Sequence, residues 1–242
     1  MPFHQKPKSF LDASRRDWQF EACAWLLRNT GGYQKFLESE LVLPTEEFFP
    51  DRGMKGHAGV AALFRRVREH SGMEEWPCTV EAASEESRAA GDEAERVHVI
   101  SYQRGTLEPV SLVAHFAREM ARFLVATFEE PAPGGEAARE AAVEMAAVFT
   151  GFGLFMANSA ANHVNYQLSE GELAHALAMF CLLGRKAPDS ADKHLNPHLR
   201  KHVRLAARDL AQFETRFQKL RAVTAGAPAL AAERPPQSGQ ST

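Results

Sequence analysis

Apolar residues recur at helical spacing over much of this chain. Trp18, Ala22, Trp25 and Leu26 share one face of a stretch from Ser14 to Asn29, which predicts a helix. Asn29-Thr30-Gly31-Gly32 closes it, and Tyr33 to Leu37 adds a further helical turn. Leu41-Val42-Leu43 reads as a short extended piece before Pro44, and Phe48-Phe49-Pro50 as a loop that buries two aromatics. Val60, Leu63, Phe64 and Val67 mark a helix over Ala58 to Glu69, with Gly72 just beyond its end.

The period then changes. Trp76 to Ala82 and Val97 to Tyr102 read as strands, the second with Val97, Val99 and Ser101 on one face and His98, Ile100 and Tyr102 on the other. The acidic, Ala-rich stretch from Ser84 to Glu95 between them reads as an exposed loop. Pro109 suits a first helical turn, and the helix it opens runs to Phe128. Pro131, Pro133, Gly134 and Gly135 break the chain before a second helix from Glu136 to Phe155. Ser169 and Glu172 form a capping box for a helix through Leu183, followed by Gly184. Asn196 and Pro197 start a last helix that reaches Val223. The expected fold is α+β, mostly helical, with a small β-sheet. Residues 1–12 form a flexible N-terminus, 13–223 a single domain, and 224–242 a disordered tail rich in Ala, Pro, Gly, Ser and Gln. No internal repeat is present.

Composition narrows the classes. The 242 residues, 45% hydrophobic and 24% charged, suffice for one sizeable core. A net charge of −3 gives no electrostatic case for nucleic acid. Cys23, Cys78 and Cys181 are odd in number and far apart, which suits a reducing compartment better than a disulfide framework. No uninterrupted apolar run reaches the ~18 residues of a membrane span. The start, Met1 to Lys8, has no signal-peptide core, so the expectation is a cytoplasmic protein with no membrane partner.

The candidate chemistry lies on the two central helices. On the first, Leu112, Val113, Phe116, Met120, Phe123 and Leu124 form an apolar face, with Ser111, Ala114, His115, Arg118, Glu119 and Arg122 opposite. Arg118 and Arg122 are like charges at i,i+4, a repulsion that a nearby anion relieves. Glu136, Glu140 and Glu144 repeat at the same interval on the next helix, which a short linker makes a neighbour. A basic stripe facing an acidic stripe resolves both repulsions, with Arg118 and Arg122 facing Glu140 and with Glu144 or Glu119 close by.

The order strand, Arg118-Glu119-Met120-Ala121-Arg122 helix, then a helix carrying Glu140 and Glu144 resembles a gluzincin, the thermolysin-type zinc peptidase fold with its H-E-x-x-H motif. The resemblance covers roughly Leu43 to Leu210. It extends to Ala146 to Phe155, Ala157-Asn158-Ser159, Leu173 to Phe180 and His194 to Pro197. There the chain is similar to a group of uncharacterised bacterial proteins in which the segment like Leu112 to Leu124 carries an intact H-E-L-A-H. The resemblance implies a zincin-like helix pair. It puts Arg118 and Arg122 at the histidine ligand positions, Glu119 at the general base, Glu140 at the third ligand, and Glu144 where an Asp steadies a ligand histidine. Arginine has no lone pair for a metal and stays cationic. The motif is therefore vestigial. The expected protein is a catalytically inactive metallopeptidase-like binder or scaffold, with no cofactor and no catalytic residues, and with a peptide or protein partner in the former substrate cleft.

An alternative is a metal-dependent hydrolase with a shifted zinc site at His115, Glu119 and Glu144. Three weaker patterns also arise. His194, His198 and His202 are evenly spaced, but Pro197 puts His194 outside the helix. Gly151 and Gly153 follow no strand and lack a third glycine, so they read as close-packing positions and not as a dinucleotide fingerprint. Asn158, Ser159 and His163 offer a nucleophile without an elbow or a partner Asp.

Overall fold

Asp12 opens the first helix by accepting a hydrogen bond from Arg15 N–H, and α1 (Ala13–Asn29) ends at Thr30. In this computed structural model residues 9–51, 53–83, 98–103, 108–160 and 166–226 are described. The helices that follow are α2 (Gly32–Phe36), α3 (Gly56–His70), α4 (Pro109–Ala126), α5 (Arg139–Ala147), α6 (Gly153–Ala160), α7 (Glu170–Leu183), α8 (Pro197–Leu210) and α9 (Glu214–Arg221). The fold is mostly helical with one small sheet, as the pattern predicts. The expectations for residues 1–8, 84–97 and 227–242 lie outside the described residues.

The sheet is a parallel pair, β1 (Cys78–Ala82) and β2 (His98–Tyr102), with Cys78 opposite His98 and Ala82 opposite Tyr102. Ile100 and Tyr102 point into the core, whereas Val99 is 50% exposed. β1 leans on α3 and β2 on α4, so the sheet and α3 flank α4 on one side while α5 and α6 flank it on the other. This double cover explains why Ser111, Ala114, Ala117 and Ala121 are buried along with Leu112, Val113, Phe116 and Met120, whereas Phe123 and Leu124 of the predicted apolar face are only half-buried. α6 and α7 are apolar on nearly every side and form the centre of the core, where α7 packs on α8.

The single helix expected from Glu136 to Phe155 is instead segmented. A 3-10 turn (Glu136–Ala138) leads into α5, a π turn over Val148–Phe152 follows, and α6 completes the stretch. Gly151 in that turn has φ +100°, and a Cβ there would lie 2.1 Å from the Glu40 carbonyl oxygen. The turn exists to let the 40–42 segment lie against the helix: Val42 N–H donates to the Gly151 carbonyl at 3.0 Å. Leu41 to Leu43 therefore finds its backbone partner on a helix and joins no strand. Residues 136–160 are long and apolar enough to cross a membrane by length and composition, although charged and polar residues interrupt the run; 83% of the apolar window is buried inside the fold. The expected last helix is likewise divided, at Ala211–Phe213. The first residues assigned to the tail are held as well, with Thr224 bridged to Gly32 and Gly226 N–H bonded to Arg28.

Candidate functional site: the α4–α5 ion cluster

Pro109 starts α4 and the Gly134-Gly135 break turns the chain back, so that α4 and α5 pack side by side. The facing stripes meet at Glu140 and Glu144, but not at Glu136, which lies exposed in the 3-10 turn before α5 and pairs with Arg139. Arg118 Nη2 lies 3.3 Å from Glu140 Oε2 and 3.1 Å from Glu144 Oε1. Arg122 grips Glu140 with both ends of its fork, Nη2 at 2.7 Å from Oε2 and Nε at 3.4 Å from Oε1. Its Nη1 pairs with Glu119 on its own helix. Two cations thus meet three carboxylates.

Burial separates the carboxylates. The Glu140 side chain is 43% exposed, whereas Glu144 is fully enclosed. Glu144 accepts hydrogen bonds from the backbone N–H groups of Gln167 (2.9 Å) and Leu168 (2.8 Å). Burial pushes its carboxyl group up in pKa, against those hydrogen bonds and the charge of Arg118. Glu140 is held below the usual carboxylate range by its hydrogen bond from Arg122. For Arg122, burial opposes the charge, but hydrogen bonds to Glu140 and Glu119 outweigh it and raise the pKa. The Arg118 guanidinium also sits 5.3 Å from the Tyr166 ring centre, a cation–π contact. Tyr166 shares a hydrogen bond with the buried Ser159, and burial raises its pKa.

The donor set does not fit a zinc ion. The two positions that would supply imidazole nitrogens supply only N–H donors, and those donors are turned on the carboxylates that remain. Nor are the residues of the shifted arrangement brought together: His115 Nε2 lies 3.0 Å from the Ser101 carbonyl, Glu119 is paired with Arg122, and Glu144 is taken up by Gln167 and Leu168. Among the described residues, no group of three or more His, Cys, Asp and Glu side chains could hold a metal ion.

The weaker patterns resolve into packing roles. His194 ends a 3-10 turn before α8, while His198 reaches Glu170 at 3.1 Å. Asn158 donates to the His194 carbonyl and accepts from Asn196 N–H, tying α6 to the start of α8. His163 lies outside the described residues. Gly153 does allow close packing, since a Cβ would lie 3.1 Å from Leu177 Cδ1 on α7.

Sequence reasoning missed three features. Arg28 and Glu130 form a two-bond ion pair at 3.0 and 2.5 Å, with Trp25 Nε1 donating to the Glu130 carbonyl. Gln19 and His175 form a buried hydrogen-bonded pair at 2.6 Å. A cavity of about 370 Å³ opens between α2, α3 and the π turn. No local signal marks any of the three, since each joins distant parts of the chain. No family model, curated protein or solved structure matches the chain.

Proposed function

We propose that the chain is a non-catalytic binding or scaffold protein built on a zincin-like helix pair, in which ion pairs occupy the place of the metal. The observation that carries this reading is the pairing of Arg118 with both Glu140 and Glu144 across α4 and α5. The residue that corresponds to a ligand histidine thereby neutralises the residues that correspond to the third ligand and its neighbour. With arginines at both histidine positions no metal is held to activate a water, and Glu119, at the general-base position, is paired with Arg122 instead. The working surface is then a cleft for a peptide or protein partner. Three free, buried cysteines support a reducing, cytoplasmic setting for this reading.

Metal analysis and reversion test it together. The protein as purified holds no stoichiometric zinc, and the Arg118→His/Arg122→His variant is less stable without metal and recovers with added zinc. About one zinc per native chain, lost on Glu119→Ala or His115→Ala, overturns the reading. Failure of zinc to bind the double variant removes the zincin half of it.

A further inference from the structure

The cavity between α2, α3 and the π turn is separate from the ion cluster and independent of the helix-pair reading. It measures about 370 Å³, within the lower range of small-molecule sites. Its floor is apolar. Phe36 and Phe149 meet there with ring centres 4.6 Å apart, beside Met73, Leu124 and Trp76.

The polar lining consists mostly of acceptors. Thr30 and Thr150 give their hydroxyl protons to the Leu26 and Ala147 carbonyls at 2.7 and 3.1 Å, and Ser71 gives its own to Val67. His70 donates through Nε2 to the Phe48 carbonyl at 3.0 Å, which leaves the lone pair on Nδ1. These groups have lone pairs to offer and no protons. Three carboxylates, Glu38, Glu40 and Glu69, line the same space against a single cation, Lys35. Lys35 is already paired with Glu38, and Glu69 with Arg66. Glu40 has no ion-pair partner among the described residues.

The backbone explains why Glu40 stands there. Gly151 adopts its left-handed conformation to admit the Glu40 carbonyl, and the Val42–Gly151 hydrogen bond fixes the segment. The irregular turn that seats Glu40 also supplies Phe149 and Thr150 to the cavity wall.

We infer that this cavity binds a small organic cation, an ammonium group on a compact aromatic or aliphatic body. The body lies against Phe149, Met73 and Trp76, and the ammonium group answers Glu40 and the hydroxyl lone pairs. An anion would meet the carboxylates, and a neutral apolar molecule would leave the acceptors without donors.

Calorimetric titration of the full chain tests this, with benzylamine, phenethylamine, tryptamine and cyclohexylamine as probes and with N-acetyltryptamine and indole-3-propionate as controls. At least one cation binds saturably, its matched neutral and acidic controls do not, and amide shifts on binding cluster at Thr30, Gly72 and Thr150. Glu40→Gln, at an exposed position, leaves the unfolding midpoint in place and weakens binding about fivefold or more. Trp76→Leu weakens it further. The proposal falls if none of the four cations binds saturably up to about 10 mM, roughly the weakest interaction such a site could usefully make. It falls equally if the acid binds as well as the amine, or if Glu40→Gln leaves the affinity unchanged.

Discussion

Arg118 Nη2 sits 3.1 Å from Glu144 Oε1, and that carboxylate has no exposed surface. The pair carries more weight than the more visible contact between Arg122 and Glu140, whose carboxylate is partly in solvent. Glu144 also fixes the chain that leads into α7, through the N–H groups of Gln167 and Leu168. A buried carboxylate has to be answered by donors and charge, because leaving it alone in the core costs far more than the pairing returns.

Removing Glu144 is therefore the damaging change. Glu144→Ala strips Arg118 of its enclosed partner and orphans two backbone N–H groups, for a loss of about 3–5 kcal/mol. Glu140→Ala, which the sequence marks as the central partner, costs only about 1 kcal/mol, because solvent screens that carboxylate and Arg122 keeps Glu119. Urea unfolding of both variants checks the order. Equal losses would mean that burial does not separate the two sites.

His175 gives a pH dependence with a definite sign. It is fully buried, and its Nδ1 is 2.6 Å from Gln19 Oε1. Gln19 spends its amide N–H on the Glu172 carbonyl, so its oxygen accepts and His175 carries the proton on Nδ1. Nε2 then has no hydrogen-bond partner among the described residues. Burial pulls the pKa from 6.5 down to about 4. The folded state binds the second proton less readily than the unfolded state, so this stability is complete above about pH 6.5 and is lost as pH falls from there towards 4. The full span corresponds to roughly 3 kcal/mol. The proton resonance of the His175 ring, followed by NMR, stays at its neutral position at pH 5.5. A titration midpoint above pH 6 contradicts this account.

The legible parts of the fold are those whose causes are local. The Ser169–Glu172 capping box forms as written, because both partners lie within one turn. The facing of Arg118 and Arg122 with Glu140 was readable because each helix repeats its own charge every four residues and a short linker joins the two. The division of labour between Glu140 and Glu144 was not, because it depends on where residues 166–168 cross over α5. Arg28 and Glu130 stand 102 positions apart, and Gln19 and His175 stand 156 apart, so no local spacing links either pair. The cavity escaped notice for the same reason, since its walls come from four separate parts of the chain.

Gly151 is the clearest case of a residue whose reason lies elsewhere in the sequence, and it yields the last prediction. On the chain it reads as a small residue that lets helices pack. In the fold it does two other things. Its φ of +100° is a conformation that side chains rarely adopt, which costs an alanine of order 1–3 kcal/mol. A Cβ would also sit 2.1 Å from the Glu40 carbonyl oxygen, a backbone atom that cannot rotate away. The 40–42 segment would have to lift, and the Val42–Gly151 hydrogen bond, worth about 1 kcal/mol, would go with it. Gly151→Ala should thus destabilise by about 3 kcal/mol in all. Gly153→Ala is the matched control two residues on. Its backbone is already helical, its Cβ would meet the side chains of Val148 and Leu177, which can shift, and alanine favours the helix. Its cost should be about 1 kcal/mol or less. Denaturant unfolding of the two variants reads the difference directly. If Gly151→Ala unfolds within about 0.5 kcal/mol of the native chain, the turn is not held by the approach of Glu40, and the wall of the cavity loses its structural cause.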